Sequence, residues 1–221
     1  VTRPATAPKL YVATSFSRGI VRDTALHAIP PGGVYDSVEF LLDRPGMAYK
    51  RGGTIYQSDA LSGEAIIVAL DVSAKRIRQV GENVQRLGAR TVWPVVGDGA
   101  QCGGLFRAEF DAALVDVPCS NTGVLARRVE SRWRVSQQRL VELAAMQRRL
   151  LASVADVVRP GGRLVYSTCA LEPEENEEVV EGLCAERAEY RVAESKCILP
   201  SETGDDGGFV GQFLYMKRIV E

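Results

Sequence analysis

From Ala65 onward, apolar runs of strand length alternate with amphipathic stretches of helical period. Ala65-Ile-Ile-Val-Ala-Leu-Asp71 is a continuous apolar run that ends on an acid. The stretch from Ala74 to Leu87 sets Ile77, Val80, Val84 and Leu87 at three-and-four spacing, which predicts a helix, with Gly88 as its C-terminal cap. Thr91-Val-Trp-Pro-Val-Val96 predicts a second strand, Gly97-Asp98-Gly99 a turn, and Phe110-Asp-Ala-Ala-Leu-Val-Asp116 a third strand. A helix over residues 136–158 follows, with Leu140, Leu143, Leu150, Leu151, Val154 and Val158 on one face. Pro160-Gly161-Gly162 stops it before a strand at Arg163-Leu-Val-Tyr166. Leu171-Glu-Pro-Glu-Glu-Asn-Glu-Glu178 then opens a helix through Val179, Val180 and Leu183; acids in a first turn favour the helix dipole, so most of them read as structural. Residues 211–218 predict a closing strand. Strands apolar throughout, alternating with helices, imply a largely parallel sheet covered on both faces: a doubly wound α/β domain.

Residues 1–53 lack this regularity. Leu10-Tyr-Val-Ala13 predicts a strand, residues 23–29 a turn or two of helix, and residues 38–42 another apolar element, together a small α/β module. Pro45-Gly46 and Arg51-Gly52-Gly53 punctuate a boundary, so the second domain is taken as residues 54–221. At 221 residues the chain is long enough to bury a core without disulfides. No apolar stretch reaches the roughly eighteen residues that span a bilayer, and no apolar leader opens the chain, which makes a cytoplasmic location the default and a membrane partner unexpected. Five scattered cysteines and a single histidine, His27, argue against a disulfide framework or a bound metal. A net charge of -1 excludes a generally basic nucleic-acid coat but leaves room for a local basic patch.

The candidate chemistry lies at the carboxyl ends of the predicted strands, where open α/β sheets keep their ligands. Asp71 suits the acid that takes ribose hydroxyls at a strand tip; its bland alternative is a helix cap. Asp98 stands between two glycines that let a backbone approach a ligand, or is a turn former. Asp116 is a third acid at the same sheet edge. Cys119 follows Asp116-Val-Pro, and Cys169 follows Ser167-Thr168. A cysteine in an apolar strand context is usually a small core residue, and Cys102, Cys184 and Cys197 keep that reading. His27 reads as a hydrogen-bonded structural residue.

Asp116-Val-Pro-Cys-Ser-Asn-Thr-Gly123 together with Ser167-Thr-Cys-Ala-Leu-Glu-Pro-Glu-Glu-Asn176 resembles the paired motifs of the RNA cytosine-5 methyltransferases of the Sun/Nop type (RsmB-like). The resemblance runs from about Thr54 to the end of the chain. It implies a Rossmann-like methyltransferase sheet, S-adenosylmethionine as cofactor held by Asp71, Asp98 and Asp116, and an RNA substrate, ribosomal RNA before transfer RNA. It implies Cys169 as the nucleophile that attacks carbon 6 of cytosine, Asp116 as the group on the base, Cys119 as the thiol that assists product release, and residues 1–53 as a small RNA-binding-like module. One element is missing. A first strand and glycine-rich turn should precede Asp71, yet Gln57-Ser-Asp-Ala-Leu61 runs directly into Ser62-Gly-Glu-Ala65. Such a strand with its crossover helix needs about 30 residues. Losing a central strand would open the sheet beside Asp71, so the expectation is a missing segment between residues 61 and 62 rather than a fold without it.

Seven arginines against two acids between Arg127 and Arg149 offer phosphate contacts, with Arg127, Arg128 and Arg132 nearest the Cys119 loop and Trp133 able to stack on a base. The alternative is a solvated helix face with Trp133 anchored in the core. Three other functions stay open: a non-catalytic RNA-binding relative, a transfer RNA cytosine-5 methyltransferase, and a DNA cytosine methyltransferase that would take its nucleophile from Pro118-Cys119.

Overall fold

The protein is described by a computed structural model covering residues 9–14, 65–87, 92–106, 110–200 and 206–216. Strands β1 (Lys9–Thr14), β2 (Ala65–Asp71), β3 (Val92–Val96), β4 (Phe110–Asp116), β5 (Val158–Thr168), β6 (Tyr190–Ile198) and β7 (Gly208–Tyr215) form one sheet in the order β3-β2-β1-β4-β5-β7-β6. β1 pairs in parallel with both β2 and β4, and β2–β3 and β4–β5 are also parallel. β7 lies antiparallel between β5 and β6. The chain winds outward from β1 to β3 and then resumes on the other side at β4. The crevice at that reversal is where such sheets bind ligands.

The central strand of the sheet is β1, between β2 and β4. The apolar run Lys9-Leu-Tyr-Val-Ala-Thr14, expected in a separate module, fills the central position. A parallel sheet needs an apolar strand there to pair the facing edges of β2 and β4, and it accepts one from any distance along the chain that a crossover can bridge. The remaining residues of the predicted module, His27 among them, lie outside the described residues.

Helix α1 (Ala74–Leu87) matches its predicted span. After the short α2 (Cys102–Leu105) and β4 comes α3 (Gln137–Ala155), whose N-cap Ser136 accepts a hydrogen bond from Arg139 N at 3.2 Å. It stops three residues short of the predicted Val158. Phe110 N takes the Val157 carbonyl at 2.7 Å, and Val158 pairs with Phe110, so β4 captures this backbone from the helix. Pro160-Gly161-Gly162 is consequently an irregularity within β5 instead of a helix stop, with Gly161 at φ 77, a conformation that favours glycine. β6 leaves little signature in the sequence because as the sheet's edge it is mostly exposed and carries Arg191, Glu194 and Lys196, which hide an apolar alternation. Cys197 stands exposed on it and is not a core residue, whereas Cys102 is fully buried.

The core on one face of the sheet joins Leu150, Leu151 and Val154 of α3 with Val179, Val180 and Leu183 of α4 (Glu177–Glu186), over Phe110, Leu164, Tyr166, Phe209 and Phe213. Tyr190 Oη donates to the Ala155 carbonyl at 2.8 Å, tying the end of α3 to β6. Among the described residues no helix is long and apolar enough to cross a membrane. Leu151 is 1% exposed in the middle of this core, so Leu151→Ala is expected to cost about 2–5 kcal/mol through lost transfer energy and an unfilled cavity, measured by thermal or denaturant unfolding.

Candidate active site

β4 and β5 end at the same level, with Asp116 directly across from Ser167, so the loops that follow them leave side by side. Val117 N donates to the Ser167 carbonyl at 3.2 Å and extends the pairing by one step. Cys119 and Cys169 come next, their sulfurs 2.9 Å apart. Cys169 N donates to the Cys119 sulfur at 3.3 Å, and the Cys169 thiol reaches Asn121 Oδ1 at 3.2 Å. The two thiols that the sequence places at neighbouring strand ends are thus in direct contact.

The Ser120-Asn-Thr-Gly123 turn makes that contact possible. Asn121 adopts the left-handed conformation at φ 65, which asparagine tolerates, and its Nδ2 donates to the Cys119 carbonyl at 2.9 Å. Gly123 N donates to the Cys169 carbonyl at 2.9 Å, and Gly207 N to the Gly123 carbonyl at 2.7 Å. A Cβ on Gly123 would run into the Gly207 backbone, so only glycine lets the three strand-end segments close up here. Thr122 and Ser120 hydroxyls both hydrogen-bond Glu172, and Leu171 N donates to Thr122 Oγ1 at 3.0 Å.

Beneath the cysteines lies a buried polar layer built on Glu175 and Asn176, part of the stretch that by sequence pattern reads as the acidic start of a helix. Glu175 is fully buried and accepts from Ser120 N at 3.0 Å and from Gln147 Nε2 at 2.7 Å. Tyr166 Oη donates to the Glu175 carbonyl at 2.6 Å, and Thr168 Oγ1 bonds Asn176 Oδ1 at 2.6 Å. A glutamate shortly after the cysteine loop gave no sequence signal of burial, because its donors come from Ser120 and Gln147, far away along the chain.

The electrostatics separate the groups. The hydrogen bond with Cys169 holds the Cys119 thiol well above its usual range, and burial pushes it the same way, with the Glu175 charge a smaller contribution; only the bond at Asn121 opposes them. Burial also raises the Glu175 carboxyl, while its hydrogen bonds from Ser120 and Gln147 pull it back. Cys102, outside this cluster, is pushed up to about 12 by burial and by Asp98 nearby.

The three acids lie along the same sheet edge but in different surroundings. Asp71 and Asp98 line a cavity of about 230 Å³ together with Gly99, Pro118, Met146 and Arg149. Asp98 accepts from Ala100 N at 2.9 Å and caps the turn at Gly99–Gln101. Asp71 is buried and gripped by the Arg76 fork, Nε to Oδ2 and Nη2 to Oδ1 at 2.7 Å each, with Ser73 N also on Oδ1 at 2.7 Å. These take three of a carboxylate's roughly four acceptor positions. Asp116 is buried beside the thiols, with Ser167 Oγ donating to its Oδ1 at 3.1 Å. A cavity walled by Leu70, Met146 and Leu150 with acids at its rim fits a ring system carrying hydroxyl and amine donors.

Directly after the Cys119 loop, two short 3-10 turns, Thr122–Val124 and Val129–Trp133, carry the basic stretch past the site. Trp133 is 83% exposed, so it does not anchor this segment in the core. Arg127 pairs with Asp206 at 3.2 Å and Arg128 with Glu130 at 3.9 Å, while Arg132 and Arg134 are exposed.

Residues 39–213 match the family described as 16S rRNA methyltransferase RsmB/F. The ribosomal RNA small subunit methyltransferase B of Erwinia tasmaniensis is 34% identical over 171 residues, 72% of this chain and 37% of that protein. Methyltransferase F of Vibrio vulnificus is 36% identical over 119 residues, 54% of this chain and 25% of that protein. The chain therefore spans about two-fifths or less of the curated relatives it matches. Among solved structures, NSun6 from Pyrococcus horikoshii, determined with SFG, superposes with a TM-score of 0.62 at 28% identity, covering 71% of this chain and 43% of that one. A methyltransferase homologue from the same organism reaches 0.65 over 95% of this chain and 62% of that one; at 23% identity it speaks for the fold alone. The paired cysteine loops on a Rossmann-like sheet and the match over most of the chain place this protein in the RsmB/F family of 16S rRNA methyltransferases.

Proposed function

We propose that this chain transfers a methyl group from S-adenosylmethionine to carbon 5 of a cytosine in small-subunit ribosomal RNA, through a covalent adduct on Cys169. The observation that carries the reading is the contact of two thiols at the carboxyl ends of adjacent parallel strands, beside a buried aspartate. Asp71 and Asp98 would hold the cofactor at the cavity rim, with Asp116 toward the reacting base. When bound, the cofactor supplies an electrophilic methyl group on a sulfonium.

Carbon 5 of cytosine is a weak nucleophile. Attack of the Cys169 thiolate on carbon 6 forms a carbon–sulfur bond and shifts the ring electrons so that carbon 5 becomes enamine-like. Asp116, oriented by Ser167, hydrogen-bonds the base at ring nitrogen 3 and the exocyclic amine as charge develops there. After methylation, a base takes the proton from carbon 5, the 5,6 double bond re-forms and the Cys169 sulfur departs. Cys119, whose burial and partner keep it a thiol, donates a hydrogen bond to the departing sulfur 2.9 Å away. A target within a stem must be flipped out, and exposed Trp133 offers a stacking face while Arg127, Arg128 and Arg132 meet phosphates.

A second reading, a relative that binds RNA without methylating it, draws on the Arg76 grip on Asp71. Titration of the protein with S-adenosylmethionine decides between them: absence of binding would sink the enzyme reading.

With RNA carrying 5-fluorocytosine, Cys169→Ala is expected to abolish the covalent protein–RNA complex and Cys119→Ala to form it; with unmodified RNA, Cys119→Ala is expected to accumulate the adduct without releasing methylated RNA, both read on denaturing gels. The opposite pattern would assign the nucleophile to Cys119. Replacing Arg127, Arg128 and Arg132 by alanine is expected to flatten the salt dependence of RNA affinity by about one unit of slope for each phosphate no longer neutralised, without changing cofactor affinity.

A further inference from the structure

We infer that Glu175, with Gln147 as its second anchor, is the positioning residue that holds the Cys119 loop in register with Cys169. The two side chains grip the peptide units on both sides of Cys119. Glu175 takes Ser120 N, at 3.0 Å on one oxygen and 3.2 Å on the other, and Gln147 Nε2 donates to the Pro118 carbonyl at 2.9 Å. Gln147 Nε2 also donates to Glu175 Oε1 at 2.7 Å, so the two anchors brace each other.

Glu175 itself belongs to the segment that follows Cys169. Its carbonyl is tied to Tyr166 of β5, and its neighbour Asn176 bonds Thr168 Oγ1 and, through Nδ2, the Ala170 carbonyl at 3.1 Å. The clasp therefore spans the β4 loop, the β5 loop and α3, the three pieces whose relative placement sets the distance between the sulfurs.

The chemistry of the contacts demands a carboxylate. Each group that hydrogen-bonds the Glu175 side chain is a donor, so an acceptor-only side chain is required, and an amide would set N–H against N–H. Gln147 shows the same logic from the other side. Its Oε1 is buried without a hydrogen-bond partner, because turning the amide over would aim that oxygen at the Pro118 carbonyl and at Glu175. Among the described residues, the groups that answer the buried Glu175 carboxyl are hydrogen-bond donors, Ser120 N and Gln147 Nε2. Burying a charge in this way works against stability, which points to geometry at the cysteines as its use.

This inference rests on the proposed roles of Cys119 and Cys169, and its test has an arm independent of them. In the full chain, diamide removes one hydrogen from each of two thiols, becoming a hydrazine and leaving a disulfide, and peptide mass mapping reads the rate of the Cys119–Cys169 bond. Glu175→Gln is expected to slow that rate about tenfold and to lower kcat for RNA methylation about a hundredfold, as a misplacement near 1 Å does, with KM for RNA within about threefold. A merely structural glutamate would lower the melting temperature but leave kcat per folded molecule unchanged. If Glu175→Gln does not fold, Gln147→Met, which removes the Pro118 anchor at similar volume, decides by the same two measurements with smaller effects in the same direction. Wild-type disulfide rate and kcat in the folded variant overturn the inference. A wild-type protein that oxidises readily between these thiols but forms no adduct with 5-fluorocytosine RNA would overturn the functional reading alone.

Discussion

The parallel pairing of β4 with β5, with Asp116 opposite Ser167, is the constraint from which the site follows. Two parallel strands in register send their next residues out of the sheet at the same level, so Val117-Pro118-Cys119 and Thr168-Cys169 emerge as neighbours. Side chains in a strand alternate faces, and a slip of one residue would turn Ser167 away from Asp116 and exchange the buried Leu164 and Tyr166 with their neighbours. The aromatic and aliphatic core under β5 therefore defends the register that the thiols need.

Close approach of two buried sulfurs requires backbone that can turn sharply and polar groups that stay satisfied. Asn121 in the left-handed region and Gly123 against the Gly207 backbone supply the turn. The Glu172 and Glu175 side chains accept from the hydroxyls and amide N–H groups, and Asn176 and Gln147 donate to the carbonyls, that the turn leaves without sheet partners. The hydrogen bond with Cys169, and burial after it, hold the Cys119 thiol well above its usual range. In the proposed reaction one cysteine is thereby placed to serve the other.

On the other side of the crevice the geometry is set by a different competition. The Arg76 fork neutralises Asp71 at the rim of the cavity and leaves the carboxylate little unused acceptor capacity. The guanidinium is partly exposed but the Asp71 side chain is buried, so in the proposed cofactor role a ligand bearing paired hydroxyls would have to displace part of a bidentate pair.

The alternation of apolar runs and helical faces from Ala65 to Leu183 determined the strands, the helices and the α/β class, and the residues at the strand tips determined the candidate acids and thiols. These are local properties: period, capping and breaker chemistry act within a few residues of each other. The central place of Lys9–Thr14, the edge strand at Tyr190–Ile198, the early end of α3, the exposure of Trp133 and Cys197, and the burial of Glu175 were decided only by the tertiary structure. Each depends on a partner distant along the chain, such as a strand needing a neighbour, a carbonyl captured by β4 or a carboxylate meeting Ser120 and Gln147. Sequence spacing carries no record of which distant donor a side chain will meet, whereas packing the sheet selects it.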